Sequence, residues 1–141
     1  ERFRMERNNI FHIINQTSRQ ISKSFNEQLV PKGLYMAQWA VIRYVKKNGP
    51  SSQKQMCDYL HVEAPTLTRT LNRMEELGLI QKTESLDRRA KIIRLTAQAE
   101  ELFPKWEKEV EAFVKPVIGT LTDDELATTI HTLKKIVERL Q

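Results

Sequence analysis

Apolar side chains recur every three or four residues over positions 8–30, at Ile10, Ile13, Ile14, Ile21, Phe25 and Leu29, with Thr17 in the same register. That spacing predicts one amphipathic helix. Pro31-Lys32-Gly33 ends it, because proline lacks the amide donor and glycine frees the backbone. A second helix is expected from about Tyr35 to Lys47, with Trp39, Ile42 and Val45 inward, stopping at Asn48-Gly49-Pro50. A third, about Ser52–His61, opens at Ser51 or Ser52 as N-cap. A fourth spans about Ala64–Leu77, with Pro65 in its first turn and Gly78 at the residue after its end. Only His61-Val62-Glu63 separates the third helix from the fourth, so the two must cross sharply. That geometry is a helix-turn-helix.

The period then changes. Leu79–Glu84 and Lys91–Leu95 read as two short strands, β-branched at Ile80, Thr83, Ile92 and Ile93, around the polar loop Ser85–Ala90. A hairpin directly after a helix-turn-helix is a wing. From Thr96, a plausible N-cap, the pattern is helical again, with Phe103, Trp106, Val110, Phe113, Val117 and Leu121 in register. Pro104 and Pro116 fall inside this run, and each is expected to bend or interrupt the helix. Thr122-Asp123-Asp124-Glu125 forms a capping box that opens a last helix, with Leu126, Ile130, Leu133, Val137 and Leu140 on one stripe. The expected fold is mainly α with a small β-hairpin: a winged helix-turn-helix lobe over about 35–96, flanked by helices over about 1–33 and 97–141. The terminal helices carry more apolar surface than so small a lobe covers. A homodimer packed through them is the expected solution, and one compact monomeric bundle is the alternative.

Composition narrows the class. Of 141 residues, 40% are hydrophobic and 29% charged, the mix of a globular chain. No apolar run approaches the roughly 20 residues of a membrane span, and the charged stretch Glu1–Arg7 leads into no signal-peptide core. The lone Cys57 makes no intrachain disulfide, and the expected location is the cytoplasm. The net charge of +5 is unevenly spread: +3 over residues 1–42, +5 over 43–94 and −3 over 95–141. A basic middle suits a polyanion such as double-stranded DNA, though charge alone fits a solvated surface equally well.

On the fourth helix, Leu67, Leu71, Met74 and Leu77 form the inward stripe. Pro65, Thr66, Thr68, Arg69, Asn72 and Arg73 are then left to face outward. Pro65, Thr66, Thr68 and Arg69, in the N-terminal half, are candidates for base edges in a major groove, where Arg can pair with guanine and a Thr methyl can meet thymine. Arg73 is the candidate for phosphate. Arg88 and Arg89 lie at the hairpin tip, suited to a narrow minor groove. Lys82, Lys91 and Arg94 flank them as possible phosphate contacts. Asp87 repels phosphate and is expected to brace the hairpin through hydrogen bonds.

Other chemistry has little support. His12, His61 and His131 are scattered, without metal-ligand spacing to Cys57. No carboxylates form a catalytic constellation and there is no Gly-rich phosphate loop, so no enzyme, metal or cofactor is expected. Cys57 lies beside Met56 and is expected to be a packing residue rather than a redox sensor. His12, Tyr35, Trp39 and Trp106 are candidates to line a ligand cavity, or else belong to the core.

Thr66-Leu67-Thr68-Arg69-Thr70-Leu71, Met74-Glu75-Glu76-Leu77-Gly78-Leu79-Ile80 and Asp87-Arg88-Arg89-Ala90-Lys91-Ile92-Ile93-Arg94-Leu95-Thr96 together resemble the MarR family, the multiple antibiotic resistance regulators. The third stretch is the most specific, matching that family's D-x-R wing followed by Leu-Thr. Glu63 stands where the family often has Ser or Asn, and Ala99 where it often has Gly. The resemblance implies a homodimeric regulator, usually a repressor, of a pseudopalindromic operator, with Arg89 as the minor-groove arginine. It also implies, for many members, release of DNA by a small phenolic or aromatic ligand. The competing class is a winged-helix protein-interaction adaptor without DNA binding. Such an adaptor needs neither the arginine pair nor the polar outward face.

Overall fold

The computed structural model describes residues 2–86 and 90–141, with backbone alone for Arg2, Phe3, Met5, Glu6 and Asn8. It contains α1 (Arg2–Leu29), a 3-10 turn (Val30–Lys32), α2 (Met36–Asn48), β1 (Ser51–Ser52), α3 (Gln53–Leu60), α4 (Ala64–Glu76), β2 (Ile80–Glu84), β3 (Lys91–Leu95), α5 (Ala97–Ile118) and α6 (Asp123–Leu140). The chain is mostly helical with a small antiparallel sheet, as the periodicity predicts. It divides into two compact units, Glu1–Trp106 and Glu107–Gln141.

In the first unit, α1 starts at Arg2, earlier than its apolar register indicates, and among its described side chains the buried ones lie near its C-terminus. Phe25 and Leu29 are buried, whereas Ile10, Ile13 and Ile21 are exposed. Gly33 closes the turn at φ +87, its amide donating to the Val30 carbonyl at 2.9 Å. A non-glycine residue rarely adopts that left-handed conformation. Asn26 Oδ1 accepts from the Met36 amide at 2.9 Å and pins the start of α2 to α1.

The core gathers Trp39, Val41, Ile42 and Val45 of α2 with Met56, Leu67, Leu71, Met74, Ile80 and Ile93. Trp39 stacks on Phe103 of α5, ring centroids 5.5 Å apart, and Lys46 bonds Glu100 at 2.5 Å. These contacts bind the first turns of α5 to α2. Leu77 departs from the predicted inward stripe: it caps α4 and is exposed. Cys57 is half-buried, less enclosed than a core position.

The sheet has the order β1-β3-β2. β2 and β3 form the expected hairpin, with Lys82 opposite Ile93 and Glu84 opposite Lys91. β1 was not expected. Ser51 and Ser52 pair with Ile93 and Ile92, and Ser52 also caps α3 in a reciprocal box with Gln55.

Of the two outcomes expected at the prolines of α5, a bend or an interruption, the interruption does not occur. The helix runs on through Pro104 and Pro116. The other turns of the helix tolerate the two missing amide rungs. In the second unit, α6 opens at the predicted Thr122–Glu125 box and buries no residue. Ile130, Leu133 and Val137 are exposed along one stripe, as are Val117, Ile118 and Leu121.

Candidate nucleic-acid interface

The α3–α4 corner is made by His61, held in the left-handed region at φ +54, with the Val62 amide returning to the Cys57 carbonyl at 3.2 Å. Glu63 occupies the N-cap of α4 in extended geometry and makes no side-chain cap bond. Leu67, Leu71 and Met74 anchor the helix to the core, while Pro65, Thr66, Arg69, Asn72 and Arg73 are exposed. One face of α4 is therefore fixed and the other is polar and open.

Thr68 stands apart from that open set. It is half-buried. Its hydroxyl accepts from Gln53 Nε2 at 2.6 Å and lies 2.8 Å from the Ala64 carbonyl, to which it donates. Arg69 Nη2 approaches Thr66 Oγ1 at 3.4 Å, and Arg73 pairs with Glu76 at 3.3 Å. Both arginines remain on the surface. The Arg73 pair is exposed, so a phosphate can displace Glu76 at little cost.

α4 ends in a Schellman motif. The Leu79 amide donates to Met74 and the Gly78 amide to Glu75, with Gly78 at φ +75. Thr96 then joins this exit to α5. Its hydroxyl donates to the Gly78 carbonyl at 2.6 Å, its amide donates to Leu79, and its oxygen accepts from the Ala99 amide at 3.2 Å. The sequence identified Thr96 only as a cap.

On the hairpin, Lys91 and Arg94 are exposed. Lys82 is turned instead toward α4, where its ammonium bonds Asn72 Oδ1 and lies 3.9 Å from Glu75 Oε1. Asp87, Arg88 and Arg89 lie outside the described residues.

The four predicted cavity residues differ in exposure. Trp39 and Trp106 are buried and His12 is exposed. Tyr35 lines a cavity of about 530 Å³ with Gly33, Ala37, Gln38, Arg69, Thr70, Arg73 and Leu77. Gln38 is 5% exposed, and its buried Oε1 has no hydrogen-bond partner among the described residues. Sequence periodicity missed this cavity because it joins the α1–α2 corner to the side of α4. Among the described residues, no group of three His, Cys, Asp or Glu side chains could hold a metal ion, and no helix is long and apolar enough to cross a membrane.

Residues 32–90 match the family model described as MarR family. The chain is 36% identical over 130 residues to the Uncharacterized HTH-type transcriptional regulator YwoH of Bacillus subtilis (strain 168), covering 92% of this chain and 95% of that one. Its fold is similar to that of a mutant MarR from E. coli complexed with operator DNA, at TM-score 0.83 and 23% identity over 93% and 95% of the two chains. BldR from Sulfolobus solfataricus gives 0.85 at 19% identity, over 95% and 96%. An organohalide-sensing regulator in its ligand-free form gives 0.84 at 21%, over 94% and 80%. With the helix-turn-helix, the three-stranded wing sheet and the flanking helices all in family order, this chain belongs to the MarR family of winged helix-turn-helix transcriptional regulators.

Proposed function

We propose that the chain is a repressor that binds a pseudopalindromic operator as a homodimer, with α4 in the major groove and the wing, residues 85–94, in the minor groove. The carrying observation is the division of α4: Leu67, Leu71 and Met74 are locked in the core while Pro65, Thr66, Arg69 and Arg73 stand open. A helix held on one face and polar on the other fits a groove. Pro65, Thr66 and Arg69 meet base edges in this reading; Arg73, Lys91 and Arg94 meet phosphates. Thr68 positions the helix from behind. Arg88 and Arg89 enter the minor groove and Asp87 braces them, a reading carried by the sequence motif.

The homodimer rests on unpartnered apolar surface. Ile10, Ile13 and Ile21 on α1 and Ile130, Leu133 and Val137 on α6 lie exposed along single stripes. Residues 1–33 and 97–141 supply the dimer helices and 35–96 the DNA-reading lobe. A small aromatic effector with an anionic group fits the Tyr35 cavity, because Arg69 and Arg73 line it and Gln38 offers an unpartnered oxygen. An effector there would occupy the guanidinium groups that DNA needs.

The test is a gel shift on the DNA immediately upstream of the chain's own gene, with sizing of the free protein by light scattering. A dimer that shifts the fragment supports the reading. A monomer without DNA affinity overturns it in favour of a protein-interaction adaptor.

A further inference from the structure

Lys82 sits in the middle of β2, directly opposite Ile93, which is fully buried. Antiparallel partners share a face of the sheet, and residues two apart along a strand do too. Lys82 therefore lies on the inner face with Ile80 and Ile93. Its side chain is only 15% exposed. The ammonium reaches Asn72 Oδ1 and lies near Glu75 Oε1, two residues one turn apart on α4. Lys91 and Arg94, the other described cations of the hairpin, are exposed.

α4 leads into β2 through Leu77, Gly78 and Leu79 alone. The chain turns at this short joint, where Gly78 stands at φ +75. The Lys82 contact lies four residues beyond Gly78 on the strand and reaches back to residues 72 and 75, so it ties the two arms together away from the joint. A charge-assisted hydrogen bond suits this role, being shorter and stronger than a neutral one.

We propose that Lys82 is a positioning residue: it fixes the wing relative to α4 and so sets sequence discrimination, and it is not a phosphate contact. The inference rests on the DNA-reading function proposed above. Non-specific binding depends on phosphate charge and tolerates a tilt between the two elements. Base readout needs hydrogen-bond geometry in two grooves at once, and does not tolerate it.

The probes are a duplex selected by the wild-type chain from a randomised library and a scrambled duplex of the same composition. Lys82→Met should lower the ratio of their affinities about tenfold or more, the worth of one hydrogen bond to a charged group. Its log-affinity against log-salt slope should equal the wild-type slope. Asn72→Ala, at an exposed position, should give the same loss, and the double variant should lose no more than either. Lys82→Arg, which keeps a donor, should retain most of the ratio. Equal loss on both duplexes indicates plain destabilisation and overturns the proposal. An unchanged ratio, additive losses, or a slope shallower by about 0.9 per protomer also overturn it. If Lys82→Met does not fold, Asn72→Ala and Lys82→Arg carry the same test. A wild-type chain that selects no sequence overturns the proposed function itself; selection by the wild type with no change in either variant overturns the Lys82 role alone.

Discussion

Gln53 Nε2, on the first residue of α3, lies 2.6 Å from Thr68 Oγ1 in α4. The same amide reaches the Ala64 carbonyl at 3.3 Å. One side chain thus holds the start of α4 against the start of α3, and the Thr68 hydroxyl is committed before any DNA arrives. Thr68→Val keeps the shape and removes the hydroxyl. We expect a loss of about 1 kcal/mol in denaturant melts, the usual net worth of a hydrogen bond. We also expect the base preference to be unchanged at every operator position. A preference lost at one base pair would make Thr68 a reader.

Gly78 occupies a position where a β-carbon is costly. Its φ is +75, and a Cβ there would stand 3.2 Å from Gln98 Oε1. Gly78→Ala should destabilise the chain by about 1–2 kcal/mol, the cost of a left-handed conformation with a Cβ. Thermal unfolding checks this. Stability equal to wild type would mean that the Schellman turn is not held in solution.

The box at α6 makes a pH prediction. The Thr122 backbone amide, and after it the Thr122 hydroxyl, hold the Glu125 carboxyl below its ordinary value of 4.5. A carboxyl depressed on folding adds stability above its unfolded pKa and loses it as pH falls through the folded value. Hydrogen-exchange protection of the α6 amides should therefore drop as pH falls below about the ordinary carboxylate range. Glu125→Gln should flatten that dependence. Thr122→Ala should cost about 1 kcal/mol at neutral pH, as lost N-caps do.

Much of this architecture was legible in the sequence because it is local. Three- and four-residue spacing marked the helices, and Gly78 and Thr122 marked an end and a start. What escaped was non-local. β1 is two serines with no alternation to read, and it exists only because β3 offers an edge. Pro104 and Pro116 do not interrupt α5, because the rest of a 22-residue helix carries on through them. The outward set on α4 was right in periodicity, but Thr68 is claimed by Gln53, 15 residues earlier. Lys82 is two residues from Ile80, so strand alternation alone turns it inward. Tyr35 shares a cavity with Arg69 and Arg73, a meeting between the start of α2 and the side of α4 that periodicity does not reveal.

Arg69 separates base reading from charge. It is exposed and its guanidinium lies near Thr66. Arg69→Ala should cost about 1–3 kcal/mol on the selected duplex, with the loss concentrated at one base pair in each half-site. Binding to operator variants measures this. A loss spread evenly over all sequences would reassign Arg69 to phosphate.

In the proposed function, two copies of this chain read a palindrome. Selection of bound duplexes from a randomised library tests it most directly. The expected result is an inverted repeat whose half-sites are centred one helical turn, about 34 Å, apart. Recovery of a single asymmetric site, or of no enriched sequence, would contradict it.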